Sequence, residues 1–487
     1  MVDIKEMHQR YHWVLGLLMF YLAIHSSCAF ANKDEDPVPP NIVIIFTDDQ
    51  GYQDVGCFGS PEIRTPHLDA MAQRGCKLTS FYSAQAVCSA SRAGLLTGCY
   101  PNRLGIHGAF MPKSKRALDT SEVTIAEMLQ QKGYATALNG KWHLGDHPEF
   151  FPTRQGFDEF YGILYSNDMW PYHPQQGPIF DFKDIYLYDQ EQIIDTLTNQ
   201  DFLTGAITER SVDFIKRNAD QPFFLYVPHP QPHVPLFASE DFIGQSPRGL
   251  YGDVIEEIDA SVGSILKTLQ EEGLEENTLV IFTSDNGPWL SYGTHSGSAL
   301  PLREGKGTAL EGGQRVPFIA QYPGFIPAGQ TINEPMMAID ILPTIAEATG
   351  STLPPNYIDG KSGWDLLRGK TDKSPQEAYY FYYHQNELHG IRWRNWKLYF
   401  PHRYRTLNGR PGGDHGLPVN YDYVNFEEMH LYDLSQDISE TINVIDDNPQ
   451  IVHIMMQFAE EAREDLGDRL LGIEGSGNRP AASVQWE

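Results

Sequence analysis

Positive charge is what this sequence has least of. Over 487 residues, 36 Lys and Arg stand against 64 Asp and Glu, a formal net charge of −28. Such a chain repels a phosphate backbone, which excludes nucleic acid as a partner. Cysteine is also scarce, with five in all, and a body of this length needs no disulfide framework. If Cys28 leaves with a leader, Cys57, Cys76, Cys88 and Cys99 remain, and chemical consumption of one of them leaves an odd thiol unpaired. The sequence contains no Asn-x-Ser/Thr sequon. That is unexpected for a eukaryotic secretory route, so a bacterial periplasmic or secreted protein is favoured over a lysosomal one. The apolar run from Val14 to Ile24 is about eleven residues long, short of the roughly 20 that span a bilayer, so no stable membrane partner is expected. There is no internal repeat and no low-complexity tract. With 41% hydrophobic and 12% aromatic residues, the chain is neither disordered nor fibrous.

What is there begins with an export signal. Lys5 and Arg10 precede the apolar run, and Ala29-Phe30-Ala31 offers a small-x-small cleavage pattern, so residues 1–31 read as a signal peptide. Cys28 is an alternative lipidation site, but His25-Ser26-Ser27 is a poor lead-in for it. Residues 32–40, acidic and proline-rich, read as a linker.

The body follows in two textures. Asn41 to Thr47 is a continuous apolar, β-branched run ending in Asp48-Asp49-Gln50-Gly51, which suits a strand buried on both faces. Gln221 to Val227 and Asn277 to Thr283 repeat the pattern, the latter running into Ser284-Asp285-Asn286-Gly287. Between them Val254, Ile258, Val262, Ile265, Leu266 and Leu269 recur at helical spacing. Alternating strand and helix predict a parallel α/β sheet over 41–370, whose ligand crevice lies outside the carboxyl ends of the strands, where both acidic turns fall. Beyond residue 370 the aromatic segments 379–383, 390–400 and 430–434 predict a small antiparallel sheet, covered by a helix from Gln450 to about Leu471, as a second α+β subdomain over 371–487.

The most informative segment is Cys88-Ser89-Ala90-Ser91-Arg92-Ala93-Gly94-Leu95-Leu96-Thr97-Gly98. It reads as a helix start, with Ser89 or Ser91 available as its cap and Cys88 against the positive helix end. Asp48, Asp49, Asp285 and Asn286 offer hard oxygen ligands from two strand ends, the type that Ca²⁺ or Mg²⁺ prefers over Zn²⁺, although each Asp alone could simply cap a following helix. The segment Gly305-Lys306-Gly307-Thr308 lets backbone approach an anion but lacks the order of a Walker loop.

The Cys88 segment resembles the signature of the formylglycine-dependent type I sulfatases, Cys-x-Pro/Ala-Ser-Arg followed by Leu-x-Thr-Gly. The resemblance runs from Asn41 to about Asn443. It takes in Asp48-Asp49, Gly140-Lys141-Trp142-His143, Asp285-Asn286-Gly287, Gly305-Lys306-Gly307-Thr308 and Leu431-Tyr432-Asp433-Leu434, and it is greatest toward the arylsulfatase A and N-acetylgalactosamine-6-sulfatase branch. It implies an alkaline-phosphatase-like α/β sandwich, a large mostly parallel sheet flanked by helices with the smaller C-terminal antiparallel sheet beside it. It further implies that a formylglycine-generating enzyme oxidises Cys88, and that one Ca²⁺ is held by Asp48, Asp49, Asp285, Asn286 and the oxygen at position 88. The hydrated aldehyde would attack sulfur, form a covalent sulfo-enzyme intermediate and eliminate sulfate. Lys141 and Lys306 would bind sulfate, Arg92 would brace the hydrate, and His143 would remove the proton that drives elimination. His233, with His229 as rival, would protonate the leaving group, and Ser166 would reach sulfate. An extended chain at Lys141 and His143 would point both to one side. Two positions depart from the family pattern. Ala90 stands where Pro is commonest, which bears on the extent of conversion, and Cys99 stands where many relatives have Arg.

The expected activity is therefore hydrolysis of sulfate monoesters, with a sulfated carbohydrate as the expected substrate. The rival readings are a phosphonate or phosphodiester hydrolase of the same superfamily and a non-catalytic binder of sulfated glycans. Specificity is expected in residues 166–198, with Trp170, Tyr172 and His173, and in the aromatic C-terminal segments, where aromatic faces serve sugar stacking and ordinary packing equally well.

Overall fold

A computed structural model of the chain describes residues 39–175 and 182–485. The expected signal peptide, Cys28 and the linker up to residue 38 lie outside the described residues, as do 176–181 within the expected specificity region.

Ten strands form the central sheet: β1 (Asn41–Thr47), β2 (Cys76–Leu78), β3 (Ala135–Lys141), β4 (Glu159–Ile163), β5 (Tyr186–Asp189), β6 (Gln192–Thr196), β7 (Phe223–Pro228), β8 (Thr278–Ser284), β9 (Phe318–Gln321) and β10 (Gln330–Ile332). Their order across the sheet is β10-β2-β9-β8-β1-β7-β3-β4-β5-β6. The middle of it, β8-β1-β7-β3-β4, is parallel throughout, and antiparallel pairs flank it on either side.

The continuous apolar runs are explained by two cores, one on each face. Ile42, Ile44 and Phe46 of β1 enter one, together with Phe224, Tyr226, Leu279 and Ile281. Val43 and Ile45 enter the other, with Phe223, Leu225, Val280 and Phe282. A strand buried on both faces has no polar side to alternate with.

Helix α1 (Cys88–Thr97) is buried along its whole length, and its Leu95 and Leu96 join the first core. Helices α2 (Leu203–Arg217) and α3 (Leu250–Glu271) cover the opposite face, with Ile207, Phe214, Val254, Ile258, Val262 and Ile265 in the second core. The spacing expected of α3 is thus the spacing that packs.

Beyond residue 370 the strands Ala378–Tyr383, Glu387–Trp393, Trp396–Tyr399 and His430–Asp433 pair in antiparallel order. A hairpin, His402–Thr406 with Asp422–Phe426, stands beside them. Helix α4 (Pro449–Leu466) ends five residues before the expected Leu471, because Gly467 turns away at φ +84° and Asn386 Nδ2 takes the Leu466 carbonyl at 2.8 Å. Phe381, Leu388, Ile391, Leu398 and Leu431 share the first core with β1, and from Pro40 onward the chain is one compact unit.

A buried ion cluster ties the C-terminal sheet to the central one. Lys397 Nζ meets Glu311 Oε1 at 2.6 Å and the Ala309 carbonyl at 2.9 Å, and Arg315 meets Glu311 Oε2 at 3.0 Å. Burial alone would raise the Glu311 carboxyl, but Lys397 and Arg315 hold it down at about 2. Removing one member of a buried pair strands the other charge in low dielectric. Lys397→Ala is therefore expected to lower the unfolding free energy by about 3–5 kcal/mol in chemical denaturation; a loss under about 1 kcal/mol would mean that the cluster braces nothing.

Candidate active site

Parallel register brings the chemistry to one edge of the sheet. Thr47 pairs with Ser284, so the acidic turns leaving β1 and β8 lie side by side. Asp49 adopts a left-handed φ of 64°, which turns its N–H onto Asp285 Oδ1 at 3.1 Å. Asn286 Nδ2 donates to Asp49 Oδ1 at 2.7 Å. β3 ends in Lys141, and the turn after β4 carries Ser166.

Neither Ser89 nor Ser91 caps α1, contrary to expectation. The N-cap is Val87, in extended conformation and with no side-chain cap, so Cys88 itself is the first helical residue. Ser89 Oγ is taken up by the Phe110 N–H at 2.9 Å, and Ser91 Oγ has no partner. The extended geometry expected at Lys141 and His143 also fails, since His143 has a φ of 63°. Both residues still reach the site. His143 does so past the end of the strand, where its Nε2 lies 2.8 Å from the Phe110 carbonyl and Nδ1 is without a partner. A carbonyl accepts only, so Nε2 carries the proton and Nδ1 presents a lone pair.

Three carboxylates and three cations are buried together. Arg92 Nη2 bridges Asp48 Oδ2 at 2.8 Å and Asp285 Oδ2 at 3.0 Å. Lys141 Nζ is bonded to Asp48 and donates to Ser166 Oγ at 3.0 Å. Lys306 Nζ lies 2.6 Å from Asp49 Oδ1 and 3.5 Å from Cys88 Sγ, over the Trp289 ring. Arg92 thus neutralises carboxylates, and neither it nor Lys141 lines the cavity.

Burial raises a carboxyl, yet Lys141 and Arg92 hold Asp48 far below the usual carboxylate range. Asp285, beside Asp48 and Asp49, is pushed up to about 7, chiefly by burial. Burial also pushes the Cys88 thiol up to about 12 and, with Lys141 beside it, His143 well down.

The cavity above this cluster has a volume of about 240 Å³ and is lined by Cys88, His143, Ser166, His233 and Lys306. His233 gives Nδ1–H to the Val234 carbonyl at 2.6 Å and turns Nε2 toward Asp49, 3.5 Å away. Its rival His229 faces helix α3, with Nε2 3.4 Å from Ser261 Oγ, and lines no part of the cavity. Trp170 is core, its indole donating to the Leu197 carbonyl at 2.7 Å. Cys99 lies at the far end of α1, where Arg479 approaches its sulfur at 3.4 Å.

Asp168, Trp289 and Arg405 also line the cavity, and sequence reasoning missed all three. Asp168 stood in view two residues after Ser166. Arg405 carried no local signal, because it comes from the C-terminal hairpin, 99 residues beyond the Lys306 carbonyl it binds at 2.9 Å. Gly307, which follows Lys306, has a left-handed φ of +80° that L side chains rarely adopt, and the Arg405 guanidinium packs 2.5 Å from where its Cβ would stand.

Known proteins resemble this chain. A family model described as Sulfatase covers residues 40–351, and models described as N-sulphoglucosamine sulphohydrolase, C-terminal, and as C-terminal region of aryl-sulfatase cover 306–406 and 374–471. The chain belongs to the sulfatase family. Human arylsulfatase A is 38% identical over 426 residues, covering 84% of this chain and 83% of that protein. The dog N-acetylgalactosamine-6-sulfatase is 38% identical over 379 residues, covering 75% and 72%. Among solved structures, Ps i-CgsB in complex with k-i-k-neocarrahexaose superposes with a TM-score of 0.72 at 29% identity, over 87% of this chain and 92% of that one. This sulfatase therefore has the alkaline-phosphatase-like architecture expected of it.

The donors of this sulfatase fit a metal ion. One ligand atom each from Asp48, Asp49, Cys88 and His233 lie within 4.8 Å of one another. Of the expected oxygen set, Asp48, Asp49 and Asp285 each also meet a cation, Arg92, Lys141 or Lys306. Asn286 Oδ1 is buried with no hydrogen-bond partner, and an orphaned hard oxygen beside two carboxylates suits a divalent cation.

His229 yields a pH prediction. Burial pushes it from 6.5 down to about 4. Below pH 6.5 the unfolded chain takes up a proton there and the folded chain does not until about pH 4, so stability falls as pH drops through that window, by about 2 kcal/mol at pH 5. Urea unfolding at pH 7.5 and pH 5 should show His229→Gln losing less on acidification, by about that amount; identical losses in both proteins would contradict a neutral buried imidazole.

Proposed function

We propose that this sulfatase hydrolyses sulfate monoesters of carbohydrates, using formylglycine made from Cys88 and one Ca²⁺ held by Asp48, Asp49, Asp285 and Asn286. The observation that carries this reading is the meeting, at the N-terminus of α1, of a buried Cys88 with Lys306 at 3.5 Å and Asp48 at 3.8 Å. A thiol in that setting is protonated and a poor nucleophile. Hydrated formylglycine supplies two hydroxyls on one carbon, one to accept the sulfuryl group and one to release it. Calcium supplies positive charge against the sulfate oxygens.

The chain's own residues do the rest. The cluster's cations offset its carboxylates, so a bound divalent ion would leave the site net positive toward the monoanionic sulfate ester. Lys141 and Lys306 hold sulfate oxygens, with Ser166 fixed by Lys141 as a further donor. Arg92 acts through Asp48 and Asp285 by keeping both carboxylates in place. His143 accepts a proton at Nδ1, and His233 donates one from Nε2 to the departing alkoxide. Cys88 is only 2% exposed, at the floor of a small cavity, so a formylglycine-generating enzyme would reach it before the chain folds. The protein is exported, periplasmic or secreted; among the described residues no helix is long and apolar enough to cross a membrane.

Cys88→Ser tests the reading, because serine can accept the sulfuryl group but has no second hydroxyl to expel it. Mass spectrometry after incubation with a sulfated sugar should find one sulfate retained per chain and turnover halted. Steady multiple turnover by that variant would refute the assignment, and faster release from an aryl phosphonate than from an aryl sulfate by the unaltered enzyme would favour the phosphonate hydrolase.

A further inference from the structure

Asp168 is the one carboxylate on the cavity wall among the described residues. It is 8% exposed, Oδ1 is enclosed without a hydrogen-bond partner, and among the described residues its carboxylate accepts no hydrogen bond and forms no ion pair, although the buried His173 imidazole lies near enough to feel its charge. The three carboxylates beneath the cavity are each neutralised by Arg92, Lys141 or Lys306. Asp168 alone is not.

It also has nowhere else to go. The Met169 N–H closes a turn onto the Ser166 carbonyl at 3.1 Å, and the Trp170 N–H onto the Asp168 carbonyl at 2.8 Å. On its N-terminal side Asn167 Nδ2 is tied to the His233 and Pro235 carbonyls, both at 3.2 Å. A buried carboxylate held in an open site accepts hydrogen bonds and gives none, so its partner must bring donors.

Arg405 is the complement. Its Nε–Nη2 edge is spent on the Lys306 carbonyl, and no carboxylate pairs with it among the described residues, in a chain with 64 acidic residues. Nη1 is left to donate, and a guanidinium accepts nothing. Asp168 and Arg405 line one cavity of about 240 Å³ without forming an ion pair. That volume lies below the roughly 300–1,000 Å³ of sites for drug-sized ligands, and suits one ring. A second anionic group beside Asp168 is repelled, whereas a hydroxylated ring satisfies an acceptor on one wall and a donor on the other.

We propose that Asp168 and Arg405 are specificity-determining residues which grip the sulfate-bearing sugar ring. Asp168 accepts hydrogen bonds from its free hydroxyls, and Arg405 donates to an oxygen of the same ring. This rests on the carbohydrate reading above and narrows it to a ring with unsubstituted hydroxyls near the ester.

The test compares kcat/KM on sulfated monosaccharides with kcat/KM on 4-nitrophenyl sulfate, which has the ester but no hydroxyls. In Asp168→Ala the sugar-to-aryl ratio should fall about 10- to 100-fold, mostly through KM, since a hydrogen bond to a charged group is lost on the sugar alone. Monodeoxy analogues of the active sugar sulfate provide a second measurement on the unaltered enzyme. Removing the hydroxyl that Asp168 holds should cost a similar factor there and little in Asp168→Ala. Should the alanine variant fail to fold, Asp168→Asn carries the same comparison in an isosteric side chain. An unchanged ratio, or deoxy losses equal in both proteins, overturns the proposal and leaves the carbohydrate reading standing. If the unaltered enzyme cleaves 4-nitrophenyl sulfate and no sulfated sugar, the carbohydrate reading itself falls, and this one with it.

Discussion

The site depends on burying Asp48, Asp49 and Asp285 with Arg92, Lys141 and Lys306 in equal number at the carboxyl ends of parallel strands. Each ion in such a cluster is expensive to desolvate and is tolerable only because its partners are in place. The parallel sheet makes this possible, because matched register sets Thr47 beside Ser284 and the two acidic turns beside each other. Substituting any one of the six leaves another uncompensated, so the cluster works as a unit. Arg92 is the clearest case: it never meets the cavity and still decides where Asp48 and Asp285 stand.

That constraint reaches into the C-terminal sheet. Lys306 is carried on a glycine-rich loop, and two C-terminal side chains hold that loop through its carbonyls, Arg405 at Lys306 and Lys397 at Ala309. Gly307 leaves the room that the Arg405 guanidinium fills. The aromatic segments beyond residue 370 thus take part in the site by positioning a cation 99 residues upstream.

Much of this was legible in the sequence where the signal is local. β1, β7 and β8 showed as apolar runs because both their faces are buried, and α3 showed as a period because only one of its faces is. The acidic turns, the Cys88 segment, Lys141, His143, Ser166, His233 and Lys306 were readable as motifs, and the structure brings all of them to one edge of the sheet. What was not legible depends on tertiary context. Val87 rather than a serine starts α1 because Ser89 is claimed by the Phe110 N–H from another segment. His143 reaches the site through a left-handed backbone that two-residue spacing does not announce. His229 stood as rival to His233 in the sequence, and in the structure α3 covers it. Asp168 and Arg405 stand out because neither has an ion-pair partner among the described residues, and no sequence pattern reports that.

The proposed chemistry turns on residue 88 ceasing to be a thiol. Mass analysis of the peptide spanning Val87 to Arg92, taken from protein matured in a host with the modifying enzyme, measures this directly. The account predicts a mass about 18 Da below that of the cysteine form, in a fraction that tracks sulfatase activity across preparations. Full activity in material whose peptide carries only the unaltered cysteine would contradict it.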